Sequence, residues 1–146
     1  MPKLYRWLVP AILLNLVIFM HSFMNASISG AESGLVVRLV SDILDYVGID
    51  ISLNLLSFII RKMAHFGFFL LLAILWYKSY EHLNMKPVIY FTLIHGLMIA
   101  ITDETIQGFT VGRSKELRDV LIDFTGVLVG LLVMYVYETF KKKTTR

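Results

Sequence analysis

Four stretches of the chain are apolar over nearly the length that a membrane-crossing helix needs. A helix requires about 20 mainly apolar residues to cross the hydrocarbon layer of a bilayer. The stretches that approach this length are residues 7–24, 63–80, 88–106 and 120–139. The pattern therefore predicts an all-α, polytopic membrane protein with four transmembrane helices.

The connection between the first two stretches carries a second helical pattern. Polar residues recur at helical spacing from Arg38 to Asp45, among leucines, valines and isoleucines. This periodicity predicts an amphipathic helix on the outer leaflet, starting near Ser33 and stopping at Gly48. Residues 51–60 are apolar but, taken alone, too short to cross, and their polar stripe leads into the second stretch.

Composition places the chain in a membrane. Only 17% of the residues are charged and the mean hydropathy is +0.70, whereas a soluble domain has about 25% charged residues. The 146 residues suffice for one transmembrane domain, 1–146, without a separate soluble catalytic module. Cysteine is absent, which excludes disulfides and a thiolate nucleophile.

The distribution of basic residues indicates an orientation in the cell membrane. A cluster of lysines follows the fourth stretch directly, as Lys141, Lys142 and Lys143. Such a cluster is typical of cytoplasmic anchoring at an anionic lipid surface, so nucleic acid is not an expected partner. With an even number of spans, both termini are predicted to be cytoplasmic.

Polar residues gather at the span ends that this orientation places on the outer face. They share helical faces, because Arg61 and His65 are four residues apart, as are Asp119 and Asp123. The set is Arg61, Lys62, His65, Asp103, Glu104, Gln107, Arg113, Asp119 and Asp123. An ion at the bilayer centre costs about 2.5–3.5 kcal/mol, so we expect these groups to meet in one cavity. The alternatives are side chains that snorkel to the headgroups and a purely structural ion network.

Two features lie deeper in the spans. His95 is at mid-span and is interpreted, like Asn15, as a hydrogen-bonded packing residue in preference to part of a proton path. Gly126 and Gly130 form a GxxxG pattern that allows close helix approach.

Two strings of this sequence resemble the VanZ-like family of bacterial integral membrane proteins. They are RKMAHFGFF at residues 61–69 and TDETIQGFTVGRSKELRDVLIDFTGVLVG at residues 102–130. The resemblance covers a motif core of residues 61–130 and implies that the polar set of the family falls on Lys62, His65, Asp103, Glu104, Gln107, Arg113, Asp119, Asp123 and Gly126. It also implies, for some members, reduced susceptibility to teicoplanin and other lipoglycopeptide-type antibiotics, with no assigned biochemical activity for most.

The leading hypothesis for function is a site in the cell envelope that binds an anionic lipid or a lipid-linked cell-wall precursor. Arg61, Lys62 and Arg113 would contact phosphate. A divalent cation is a candidate cofactor, with Asp103, Glu104 and Asp123 as its ligands.

Two other classes remain open. A membrane hydrolase or transferase acting on a lipid phosphate would use the same groups, with His65 or Glu104 as general base. A structural partner of another membrane protein would use the GxxxG face and the amphipathic helix. The residues do not decide whether a reaction is catalysed, nor do they fix the oligomeric state.

Overall fold

The computed structural model describes residues 3–24, 26–111 and 115–144, without the side chains of residues 26–33. Helices account for most of this part of the chain. In chain order they are α1 (Tyr5–Ser22), α2 (Ala26–Tyr46), α3 (Leu53–His82), α4 (Val88–Gln107) and α5 (Leu117–Thr144). The predicted all-α class is confirmed.

Four of the helices, α1, α3, α4 and α5, are long and apolar enough to cross a membrane. They correspond one to one with the four predicted stretches, which confirms the prediction of four spans. Between 17% and 33% of the residues in their most apolar windows are buried inside the protein. Large apolar side chains such as Leu13, Met20 and Leu132 are exposed, as expected where lipid replaces water as the solvent.

The second span is longer than predicted. Residues 51–60 carry the polar stripe that was predicted to lead into this span, and α3 includes most of them, since it runs unbroken for 30 residues from Leu53. Neither glycine nor proline interrupts the sequence between Leu53 and Met63, and the Ser52 hydroxyl accepts a hydrogen bond from the Leu55 N–H at the helix start. At 1.5 Å per residue, α3 is about 45 Å long, which exceeds the hydrocarbon thickness of about 30 Å.

The amphipathic helix between the first and second spans is present as α2. It ends at Tyr46, and Gly48 has a φ of 77°, in agreement with the predicted stop. It begins at Ala26, well before Ser33, because Gly30 is the only helix-breaking residue in the sequence between those two positions. Val37 is buried while Leu39 and Ile43 are exposed, so one side of α2 packs on the bundle and an apolar side is left for lipid.

Helix α3 lies at the centre of the bundle and packs most extensively against α5. The GxxxG glycines explain this close pairing. A Cβ atom at Gly130 would lie 2.5 Å from the carbonyl oxygen of Leu70 and 2.9 Å from the Cβ atom of Ala73, and one at Gly126 would collide with the carbonyl oxygen of Phe66. The GxxxG face is therefore buried within the chain, against α3.

The two ends of the bundle differ in their polar groups. At one end, Lys78 of α3 pairs with Glu138 of α5 and lies 2.9 Å from Glu81. We call the other end, where α1 and α4 finish and α5 begins, the site end. The buried apolar core lies between the two, around Phe69, Leu72 and Val127.

Candidate functional site

Three helices bring a histidine and two carboxylates together near the site end. His65 comes from α3, Asp103 from α4 and Asp123 from α5. The Nδ1 atom of His65 lies 3.3 Å from Oδ1 of Asp123 and 3.9 Å from Oδ2 of Asp103. One ligand atom from each of the three residues lies within 4.8 Å of the others. We call these three residues the carboxylate–histidine cluster.

The Asp103 carboxylate is held on both sides by hydrogen-bond donors. The Ser22 hydroxyl contacts Oδ1, and the side-chain amide of Gln107 donates to Oδ2 over 2.6 Å. Gln107 lies one turn after Asp103 on α4, as its spacing predicted, whereas Ser22 reaches across from the last turn of α1. Asp103 is 1% exposed, so these donors fix the orientation of a carboxylate that has almost no access to solvent or lipid.

The Asp123 carboxylate is buried with very little polar compensation. Its exposure is 0%, and neither of its oxygens accepts a hydrogen bond from any described residue. Its polar neighbour in the cluster is His65, at a distance suited to an ion pair but outside hydrogen-bond geometry. A buried carboxylate without donors is costly, so this arrangement favours a cationic group at that point.

A second polar layer lies beyond the cluster. Lys62 of α3 pairs with Asp119 of α5, one turn from His65 and Asp123 respectively, and both side chains are less than one fifth exposed. Glu104 points to a different partner, because its Oε1 accepts the backbone N–H of Glu116 before α5 begins. Its Oε2 is buried without a hydrogen-bond partner among the described residues. Glu104 therefore contacts the connection between α4 and α5 and is not a member of the carboxylate–histidine cluster.

Of the two predicted arginines, Arg61 lies in the described part of the chain. Arg61 is exposed at the helix face beside Lys62. Arg113 lies outside the described residues. The structure thus brings His65, Asp103, Gln107 and Asp123 together, with Lys62 and Asp119 paired next to them.

An apolar groove runs along the α3–α5 surface close to this layer. Its volume is about 220 Å³, and its walls are Phe66, Leu121, Ile122 and Thr125. Arg118 also lines the groove and precedes the other α5 residues in the chain, so it lies toward the start of α5. Lys62 is one turn before Phe66 on α3. The groove therefore combines an apolar wall with one cationic side chain, Arg118, toward the start of α5.

Sequence reasoning missed two contributors, Ser22 and Arg118. Ser22 is the last residue of α1, and nothing in its sequence context marks it as a site residue. Its neighbour His21 also reaches the cluster, since the rings of His21 and His65 lie edge to face with centroids 6.2 Å apart. In the sequence, Arg118 looks like any arginine that snorkels to the headgroup layer. The groove that it lines is what marks it as a contributor to the site.

The mid-span histidine has a hydrogen-bond partner for each ring nitrogen. Nδ1 of His95 is 2.6 Å from the Tyr80 hydroxyl, and Nε2 is 3.3 Å from the Asn15 amide nitrogen. The Trp76 ring packs over it, with centroids 4.1 Å apart. These contacts agree with the interpretation of His95 and Asn15 as packing residues that join α1, α3 and α4.

The cluster can do two kinds of chemistry. An imidazole nitrogen and two carboxylates can bind a metal ion. Alternatively, the carboxylates can orient the imidazole and stabilise its protonated form, so that it accepts and donates protons. A cavity of about 10 Å³ adjoins His65 and Asp103, bounded also by Ile18, His21 and Phe69. Such a volume is close to the lower limit for one water molecule, so there is room for a small ligand atom beside the cluster.

Four apolar helices around a buried ionic cluster define a multi-pass helical membrane protein with a polar site near one end of its bundle. The sequence model of the VanZ/LLP1 family matches residues 7–138, and the chain belongs to that family. This confirms the resemblance seen in the two motif strings. No curated protein and no solved structure matches the chain.

Proposed function

We propose that this protein binds the phosphate-bearing headgroup of an anionic lipid or a lipid-linked cell-wall precursor at the site end of its bundle. The observation that carries the proposal is the groove beside Phe66 and Ile122, with Arg118 toward the start of α5. A lipid has the same two parts, an apolar chain and an anionic head. The chain would lie along the groove while the guanidinium contacts phosphate through two parallel N–H donors.

The paired and clustered groups support the same assignment. Lys62 lies beside the groove wall, and its partner Asp119 orients the ammonium group. Arg61, exposed one residue earlier, supplies a further cation at this end. Arg113 is proposed from its motif to complete the set of phosphate contacts. Gln107 and His65 are proposed to reach the sugar or pyrophosphate oxygens of a larger headgroup.

The orientation belongs to the proposal as well. With both termini in the cytoplasm, the site end faces the outside of the cell membrane, where lipid-linked cell-wall precursors are exposed. The lysines at residues 141–143 then lie against the anionic inner leaflet. Reporter fusions test this orientation: an extracytoplasmic signal from a fusion after Arg146 would place the site on the other face.

The direct test is lipid retention. We would purify the protein in detergent, reconstitute it in nanodiscs of zwitterionic lipid, and measure binding of phosphatidylglycerol and of a polyisoprenyl phosphate. Arg118→Leu removes the cation, and Thr125→Trp fills the groove; each is expected to weaken binding at least tenfold. Arg38→Leu is the matched control, because it removes an exposed arginine of α2 that does not line the groove.

Equal binding by the wild type and both groove variants would contradict the proposal. Selective binding of the polyisoprenyl phosphate would identify a cell-wall carrier as the ligand class, and equal binding of both lipids would identify the phosphate headgroup alone. Cells producing the wild-type protein are expected to tolerate more teicoplanin than cells producing Arg118→Leu at equal protein level.

A second candidate is hydrolysis or transfer at the same lipid phosphate. The observation that favours it is the placement of His65 against two buried carboxylates, the environment of a general base. Release of inorganic phosphate from a polyisoprenyl pyrophosphate, abolished in His65→Gln, would establish this activity. Binding without any turnover would leave the protein a lipid-binding protein.

A further inference from the structure

The geometry points to a divalent transition-metal site in the carboxylate–histidine cluster, with His65 Nδ1 and one oxygen each of Asp103 and Asp123 as the protein ligands. This inference deepens the proposed function, since the ion would lie beneath the proposed headgroup site. It also changes the predicted ligand set, in which Glu104 stood where His65 now stands.

The Asp123 carboxylate, which accepts no hydrogen bond from the described residues, is the first reason. Asp123 is 0% exposed and its two oxygens accept no hydrogen bond from the described residues. Loss of hydration without replacement donors is costly for an anion in such a place. A metal ion would supply the missing positive partner directly at those oxygens.

The local charge is the second reason. Asp103 and Asp123 are both buried and both lie near one imidazole. A protonated His65 would balance one of the two negative charges and leave the other uncompensated. A divalent ion balances both carboxylates while the imidazole binds in its neutral form, as metal coordination requires.

The distances are the third reason. Ligand atoms at about 2.0–2.2 Å from one metal ion stand roughly 3.0–3.5 Å apart. His65 Nδ1 is 3.3 Å from Asp123 Oδ1 and 3.9 Å from Asp103 Oδ2. The three ligand atoms all lie within 4.8 Å of one another, so the cluster must close slightly around a shared ion. Ser22 and Gln107 already hold the Asp103 carboxylate in place, and such outer hydrogen bonds are typical of metal ligands.

The ligand types define the class of ion. One imidazole nitrogen and two carboxylate oxygens suit Zn²⁺, Mn²⁺ or Fe²⁺, whereas Mg²⁺ and Ca²⁺ prefer oxygen ligands throughout. Three protein ligands leave at least one coordination position open. The cavity of about 10 Å³ beside His65 and Asp103 provides space there for a water or a phosphate oxygen.

Metal binding is measured on the full-length protein in detergent, without added lipid, so that the result does not depend on the headgroup proposal. After treatment with EDTA, the protein is titrated with Zn²⁺, Mn²⁺, Mg²⁺ and Ca²⁺ by calorimetry, and bound metal is counted by mass spectrometry. We expect one Zn²⁺ or Mn²⁺ per chain, with Mg²⁺ and Ca²⁺ at least tenfold weaker. With Mn²⁺ bound, electron paramagnetic resonance should report a nitrogen ligand.

Four variants separate the ligands from the other carboxylates. His65→Gln and Asp123→Asn are expected to weaken binding at least tenfold. Glu104→Gln is expected to keep the metal, because that carboxylate contacts the Glu116 N–H outside the cluster. Glu81→Gln, at the opposite end of the bundle, controls for loss of one negative charge. Melting of each metal-free variant is recorded, and if Asp123→Asn does not fold, His65→Gln alone decides.

Absence of bound metal in the wild type, or equal affinity in His65→Gln, would overturn the inference and leave an imidazolium ion pair in its place. Preference for Mg²⁺ or Ca²⁺ would overturn the assigned ion class. Metal binding without lipid retention would keep this inference and reject the proposed function. Lipid retention by a wild-type protein that binds no metal in the titration would do the reverse.

Discussion

Gly130→Ala tests the packing that holds the site together. A Cβ atom there would lie 2.5 Å from the Leu70 carbonyl oxygen and 2.9 Å from the Ala73 Cβ atom. Unstrained carbon–oxygen contacts are about 3.3–3.6 Å, so α3 and α5 must separate by roughly 1 Å. Overpacking of this kind destabilises a protein by about 1–3 kcal/mol, whereas replacing a helical glycine with alanine stabilises the helix by about 1 kcal/mol. The net expectation is a loss of about 0–2 kcal/mol.

The control for this substitution is Gly67→Ala. Gly67 also lies in the interior of a helix, but an added Cβ there meets nothing within 4 Å, so the variant should gain about 1 kcal/mol. The measurement is thermal melting of both variants in one detergent, in which a soluble domain of this size shifts by about 2–4 °C per kcal/mol. If Gly130→Ala melts as high as Gly67→Ala, the α3–α5 contact is not close packed and the account of the GxxxG pattern is wrong.

Three further predictions address the opposite end, the middle and the motif loop. Lys78→Met should lower the free energy of unfolding by about 1.5–3 kcal/mol, since it leaves Glu138 without its principal partner. In a double-mutant cycle, adding Glu138→Gln should recover part of that loss, and strictly additive effects would contradict the pairing. Tyr80→Phe should cost about 1–3 kcal/mol in denaturant unfolding, because it removes the hydroxyl 2.6 Å from Nδ1 of His95; an unchanged midpoint would show that water replaces this contact. Arg113→Lys should lose lipid binding at unchanged melting temperature if the guanidinium contacts phosphate in a bidentate manner, and full binding would reduce its role to charge.

Helical spacing could place some polar groups of the site on shared faces, but it could not identify their partners. Helical spacing alone put Asp103 and Gln107 on one face, and the structure joins them by a hydrogen bond of 2.6 Å. The same reasoning treated Glu104 as equivalent to Asp103, although its side chain turns to the Glu116 backbone. Adjacent helical residues point about 100° apart, so which of the two faces the cluster depends on how α4 is rotated against α3 and α5.

The hydropathy and helical spacing of the sequence were enough to predict the four spans and the amphipathic helix. These are local properties, since hydropathy over about 20 residues and spacing of three or four fix them without reference to other helices. The tertiary fold brings Ser22 to Asp103 and Asn15 to His95, residues that are 81 and 80 positions apart in the chain. It also decided that the GxxxG glycines face α3, because pairing across a bundle follows from how the surfaces of all its helices fit together.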